Sequence, residues 1–180
     1  MGPYKVMIVE DDFRVSNIWK EFTHTMSEFQ VCFEARNGAE ALEYLENESI
    51  DLLIMDVYMP DIDGVQLLYE VRKKGLTFDV VVITAAKESQ VISRILRMGV
   101  LDYIIKPCVL KRYQQALARY IVLQDVLKNE ELEQSDLDQL LSRSSLPLEE
   151  TRKLPKGMQE ITMNKILSCF EQDPYARSAE

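Results

Sequence analysis

The chain has 180 residues, 47% hydrophobic and 28% charged, which suits one folded domain with a tail or a small second unit and excludes a wholly disordered chain. Its formal net charge of -9 argues against a surface that is nucleic-acid platform throughout. Cys32, Cys108 and Cys169 are scattered and form no C-x-x-C pair, so reduced thiols are expected, with no disulfide framework or zinc site.

Val6, Met7, Ile8 and Val9 form a buried-strand run that stops at three acids, Glu10, Asp11 and Asp12. Ile18, Trp19, Phe22 and Met26 then recur at helical spacing. A second strand is predicted over 31–34. Asn37-Gly38 turns the chain into a helix over 39–46. The third strand, 52–55, ends at Asp56. Pro60 and Gly64 bracket a loop, and Val65, Leu67, Leu68 and Val71 mark the next helix face. The fourth strand, 80–83, ends at Thr84. A helix over 89–98 stops at Gly99, a normal C-terminal signal. The fifth strand, 102–105, ends at Lys106-Pro107, and a long helix starts at about Leu110.

Five short apolar strands alternating with five helices predict an α/β fold: a parallel sheet with helices on both faces. Reacting groups of such sheets gather beyond the C-terminal strand ends. Asp11 and Asp12 follow the first strand, Asp56 the third, Thr84 the fourth and Lys106 the fifth. Singly, each reads as a cap, a turn or a solvated side chain. Together they form a set with one chemistry. Clustered carboxylates repel unless a cation lies between them. Oxygen-only ligands suit Mg²⁺. A carboxylate beside such a cation can act as nucleophile toward phosphorus, and a hydroxyl and an ammonium can meet the transferring oxygens. His24, the only histidine, reads as a surface residue. Trp19, Phe22 and Met26 read as core. No phosphate-binding glycine motif is present.

Val-Met-Ile-Val-Glu-Asp-Asp at 6–12, Asp56 through Pro60 with Gly64, Val-Val-Ile-Thr-Ala at 81–85 and Asp-Tyr-Ile-Ile-Lys-Pro at 102–107 resemble the receiver domain of two-component response regulators. The resemblance implies a flavodoxin/CheY-like receiver fold and names Asp56 as phosphoacceptor. It implies Mg²⁺ held by Asp11, Asp12, Asp56 and the backbone carbonyl of Tyr58. Thr84 and Lys106 would contact the phosphoryl oxygens, and Thr84 and Tyr103 would form the switch. It further implies a small residue at Ala85 and a cis Lys106-Pro107 bond. Tyr58, two residues after the acceptor, is expected to screen it from water.

After residue 126 the composition changes. Glu130, Glu131 and Glu133 interrupt a looser leucine stripe, and Ser135 with Asp138 marks a helix start. A linker is predicted over 142–157, then a short helix over 163–171 capped by Thr162. Leu154-Pro-Lys-Gly157 followed by Thr162 resembles the segment that opens the DNA-binding region of citrate- and dicarboxylate-responsive regulators. That resemblance implies a receiver (1–126), a helical linker (127–157) and the start of a truncated helix-turn-helix unit (158–180). The implied partners are a membrane-bound sensor histidine kinase sensing di- or tricarboxylates, and promoter DNA for the full-length protein. The fragment itself is expected to bind DNA weakly or not at all. No recognition helix is foreseen, and the stretch from Leu123 carries 7 Lys and Arg against 12 Asp and Glu. Leu123, Val126 and Leu127 are candidates for a homodimer contact or, equally, for core. With no signal peptide or apolar span, a cytoplasmic protein is expected. Two other readings stay open: a single-domain receiver acting by protein binding, and a phosphohydrolase using Asp56, for which no second acid or base is evident.

Overall fold

The structure, a computed structural model, describes residues 2–141. The elements are β1 (Tyr4–Val9), α1 (Phe13–His24), β2 (Phe29–Ala35), α2 (Gly38–Asn47), β3 (Leu52–Met55), α3 (Gly64–Lys73), β4 (Asp79–Thr84), α4 (Ser89–Arg97), β5 (Asp102–Ile105), α5 (Leu110–Leu127) and α6 (Gln134–Leu141). All strand pairs are parallel, in the order β2-β1-β3-β4-β5. The expected α/β architecture is present. The second strand is longer than the 31–34 predicted, because it pairs only with β1, at the sheet edge, where half-exposed positions hide its apolar pattern.

Alternate residues of each strand face opposite sides, so one apolar run feeds two cores. Val6 and Ile8, with Leu52, Ile54, Val81 and Ile83, pack under α1 and α5 against Trp19, Phe22, Tyr113 and Leu117. Met7 and Val9, with Leu53, Met55, Val80 and Val82, pack under α2, α3 and α4 against Leu45, Leu67, Leu68 and Ile95. His24 is exposed, as expected, while Trp19 and Phe22 are core.

Carboxamide and carboxylate caps start the helices nearest the strand ends. Asp12 caps α1, Asn37 caps α2 and Asp63 caps α3, each side chain accepting a backbone N–H in the first turn. Gly99 follows α4 at φ 73°, a left-handed position that suits glycine, and so confirms the predicted stop. Gly64 is required for a different reason: a Cβ there would lie 2.6 Å from the Asp56 carbonyl oxygen and 2.7 Å from Val57 Cα. The start of α3 is therefore pressed onto the end of β3.

Arg72 of α3 ties two connections together. Its Nε donates to Met98 O at 3.1 Å and Nη2 to Gly99 O at 3.0 Å, while Nη1 donates to Leu76 O and Phe78 O, both at 3.1 Å. Beyond α5, the helix expected at Ser135 begins one residue earlier, and Glu133 N–H donates to Asp136. Leu123 and Val126 are half-buried and Leu127 is exposed. The predicted linker 142–157, the helix 163–171 with Thr162, and Cys169 lie outside the described residues.

Candidate functional site

The ladder carries four strand ends to one rim. Asp56 N–H donates to Val9 O at 3.0 Å and Lys106 N–H to Thr84 O at 2.8 Å, so the residues just past β3 and β5 stay in register with their neighbours. Asp56 is 6% exposed. Its Oδ1 accepts the N–H groups of Val57 at 2.5 Å and Tyr58 at 3.1 Å, and its Oδ2 accepts Lys106 Nζ at 2.6 Å. The Lys106-Pro107 bond is cis, as expected.

The same ammonium donates to Glu10 Oε2 at 2.9 Å. Glu10, which the sequence reading left without a role, is buried and also accepts the Trp19 indole N–H at 3.4 Å. Burial, the largest influence, pushes the Glu10 carboxyl above its ordinary value, and the Asp56 charge adds to the effect, while Lys106 and Trp19 offset it in part. Burial alone would lower the Lys106 ammonium, but Glu10 and Asp56 together outweigh it and hold it above the ordinary lysine value. Two buried carboxylates thus share one positive charge.

Asp12, expected among the cation ligands, is turned away from this cluster. Its Oδ1 caps α1 through Arg14 N–H at 2.9 Å, and Arg14 Nη2 meets its Oδ2 at 2.7 Å. Those Arg14 hydrogen bonds hold its carboxyl below the usual carboxylate range. The physical reason is the helix start: the residue before Phe13 is the N-cap, and a cap carboxylate aims at the first-turn N–H groups. Asp11, between Glu10 and Asp12 in the chain, is exposed. Among the described residues no three His, Cys, Asp or Glu side chains stand close enough to hold a metal ion, so neither the Asp11, Asp12 and Asp56 set nor one that includes Glu10 is assembled in this arrangement.

The donor chemistry nonetheless fits a hard cation. Glu10 and Asp56 share the single Lys106 ammonium, and Asp11 adds a third carboxylate just past β1. All available donors are oxygens, which suits Mg²⁺.

Thr84 is fully buried, and its Oγ1 accepts the Ala86 N–H at 3.2 Å. The Tyr103 hydroxyl donates to Ala86 O at 2.9 Å. Burial pushes the Tyr103 phenol up to about 12. Ala85 between them is exposed and small. Tyr58 is 49% exposed, and its hydroxyl donates to Glu88 at 3.0 Å, which joins the loop after β3 to the start of α4.

A buried carboxylate on a central parallel strand, a lysine against it and a hydroxyl on the next strand define a receiver site. The family described as "Response regulator receiver domain" matches residues 6–118, and the chain belongs to that family. The "Probable C4-dicarboxylate response regulator DctR" of Bacillus subtilis (strain 168) is 40% identical over 178 residues, which cover 98% of this chain and 77% of that protein. The "Transcriptional regulatory protein CitT" of Halalkalibacterium halodurans is 36% identical, covering 94% of this chain and 75% of that one. Among solved structures, the receiver domain of AraT, a response regulator from Geobacillus stearothermophilus, aligns at a TM-score of 0.63 with 27% identity, over 72% of this chain and 100% of that chain. The chain is a two-component response regulator. No helix among the described residues is long and apolar enough to cross a membrane.

Proposed function

We propose that Asp56 accepts a phosphoryl group from the phosphohistidine of a sensor kinase. An Asp56 carboxylate oxygen attacks phosphorus, the P–N bond breaks, and the electron pair leaves with the imidazole, which takes up a proton. The supporting observation is the Lys106 ammonium 2.6 Å from Asp56 Oδ2, a contact from which it can follow the oxygens of the incoming group. Thr84 Oγ1 accepts from Ala86 and keeps its own proton to donate to a phosphoryl oxygen. Such a move would disturb Ala86 and, through its carbonyl, Tyr103, which is the basis for assigning Thr84 and Tyr103 as the switch.

Glu10, Asp11, Asp56 and the Tyr58 carbonyl are proposed as the residues that hold Mg²⁺. Asp12 could join only by giving up its cap. When bound, the cation supplies positive charge against the phosphoryl oxygens. Self-dephosphorylation is proposed to be slow, since Glu10, the carboxylate that shares Lys106 with Asp56, is itself engaged by Lys106 and Trp19.

The output is proposed to be transcriptional control of carboxylate uptake or metabolism in response to a membrane-bound, carboxylate-sensing kinase. Relatives named for C4-dicarboxylates and citrate, matched over nearly the whole chain, support that reading. Residues 1–126 would be the receiver, 127–157 the linker and 158–180 the start of the DNA-binding unit, working in the cytoplasm with promoter DNA or a second copy. The test is Mg²⁺-dependent labelling by a small acyl phosphate, with molecular mass followed in parallel. A near-stoichiometric burst lost in Asp56→Asn is expected. Labelling retained in that variant overturns the assignment, and steady multi-turnover phosphate release favours a hydrolase.

A further inference from the structure

Trp19 lies on the buried face of α1, among side chains that look purely structural. Its ring stacks on Tyr113 of α5, with centroids 5.8 Å apart and planes 4° from parallel, and Phe22 meets both rings edge-on. Tyr113 is held in turn by a short hydrogen bond to Thr23. The indole is therefore fixed on two sides by packing. Its one polar atom, Nε1, does not turn to a helix carbonyl but to Glu10 Oε2, the oxygen already engaged by Lys106. Both donors fall on the same oxygen. No hydrogen bond among the described residues falls on Glu10 Oε1.

We propose that Trp19 is a positioning residue for Glu10: it pins one carboxylate oxygen to the back of the pocket so that the other, Oε1, is presented to a divalent cation. The inference rests on the reading of Glu10 as a cation ligand and deepens it. Glutamate has one more rotatable bond than aspartate, so a glutamate at this rim has more freedom to lose before it can hold a ligand oxygen in place. A donor at its back, itself locked by aromatic packing, removes that freedom in advance. The arrangement leaves Lys106 with two carboxylate partners, Glu10 and Asp56. It can shift toward a phosphoryl oxygen on Asp56 while Trp19 keeps Glu10 in place.

Trp19 is the only tryptophan of the chain, so its emission reports on the charge beside its N–H without any label. With Mg²⁺ alone and no phosphodonor, the emission of the full chain should change saturably with metal concentration. Trp19→Phe keeps the aromatic packing and removes the donor, and calorimetry should show Mg²⁺ affinity weakened about tenfold, the usual size for loss of an outer partner of a metal ligand. Glu10→Asp serves as the second variant in case the first fails to fold. Its shorter side chain pulls the carboxylate off the indole, so the affinity should fall similarly and most of the emission response should vanish. If Trp19→Phe or Glu10→Asp binds Mg²⁺ as tightly as the parent, the positioning role is wrong while the cation reading stands. If the parent chain binds no Mg²⁺, both are wrong, and labelling of Asp56 by a small acyl phosphate decides separately whether it is the acceptor.

Discussion

Thr84 and Tyr103 hold the same residue by its two ends: Thr84 Oγ1 accepts the Ala86 N–H at 3.2 Å, and the Ala86 carbonyl accepts the Tyr103 hydroxyl at 2.9 Å. A displacement of either side chain is felt by the other through one residue. Removing the hydroxyl with Tyr103→Phe should cost about 0.5–1.5 kcal/mol in urea unfolding, the net worth of a typical hydrogen bond. A loss above about 3 kcal/mol would mean that the ring packs differently from what is described here.

The same phenol gives a pH dependence. Its folded pKa of about 12 exceeds the ordinary tyrosine value, so the folded state keeps the proton after the unfolded chain has begun to lose it. The contribution to stability is complete below pH ~10 and is lost as pH rises through about 12. Phenolate absorbance should show tyrosines titrating late, with one fewer in Tyr103→Phe.

Two carboxylates share the Lys106 ammonium, so removing one charge of each sign should have opposite effects. Asp56→Asn leaves an even Glu10–Lys106 pair and should be at least as stable as the parent. Lys106→Met leaves two buried anions and should lose about 2 kcal/mol, less than for a fully enclosed pair because Lys106 retains 23% side-chain exposure. Thermal unfolding of the two variants in parallel checks the order.

Gly64→Ala should destabilise by about 1–3 kcal/mol, because two of the three atoms facing the added methyl are backbone and cannot give way. Equal stability in denaturant would mean that α3 does not press on β3 as described.

Arg72 donates to four carbonyls in two connections, a pattern that needs a planar fork. Arg72→Lys keeps the charge but cannot span them, so it should still lose about 2 kcal/mol. Hydrogen exchange should quicken at both the 74–78 and the 98–101 turns.

The sheet was legible in the sequence because buried parallel strands read as unbroken apolar runs, and the fifth strand was placed to the residue. The positions of Asp56, Thr84 and Lys106 were legible for the same reason: each terminates such a run. The acids after β1 were not. Glu10, Asp11 and Asp12 are consecutive, and neighbours on an extended chain point to opposite sides, so only coordinates reveal which one enters the site and which one starts the helix. Arg72 left no signal at all, since its partners are carbonyls, which every residue carries.

The strand order divides the rim around Asp56 into two flanks. β1 supplies Glu10 and Asp11 on one side; β4 and β5 supply Thr84, Tyr103 and Lys106 on the other. On the proposed reading, loading and readout draw on different strands, joined at Asp56 and by the Glu10–Lys106 ion pair. On that reading, substitutions on the β1 flank should change how readily Asp56 is labelled, while substitutions of Thr84 or Tyr103 should change the response that follows labelling.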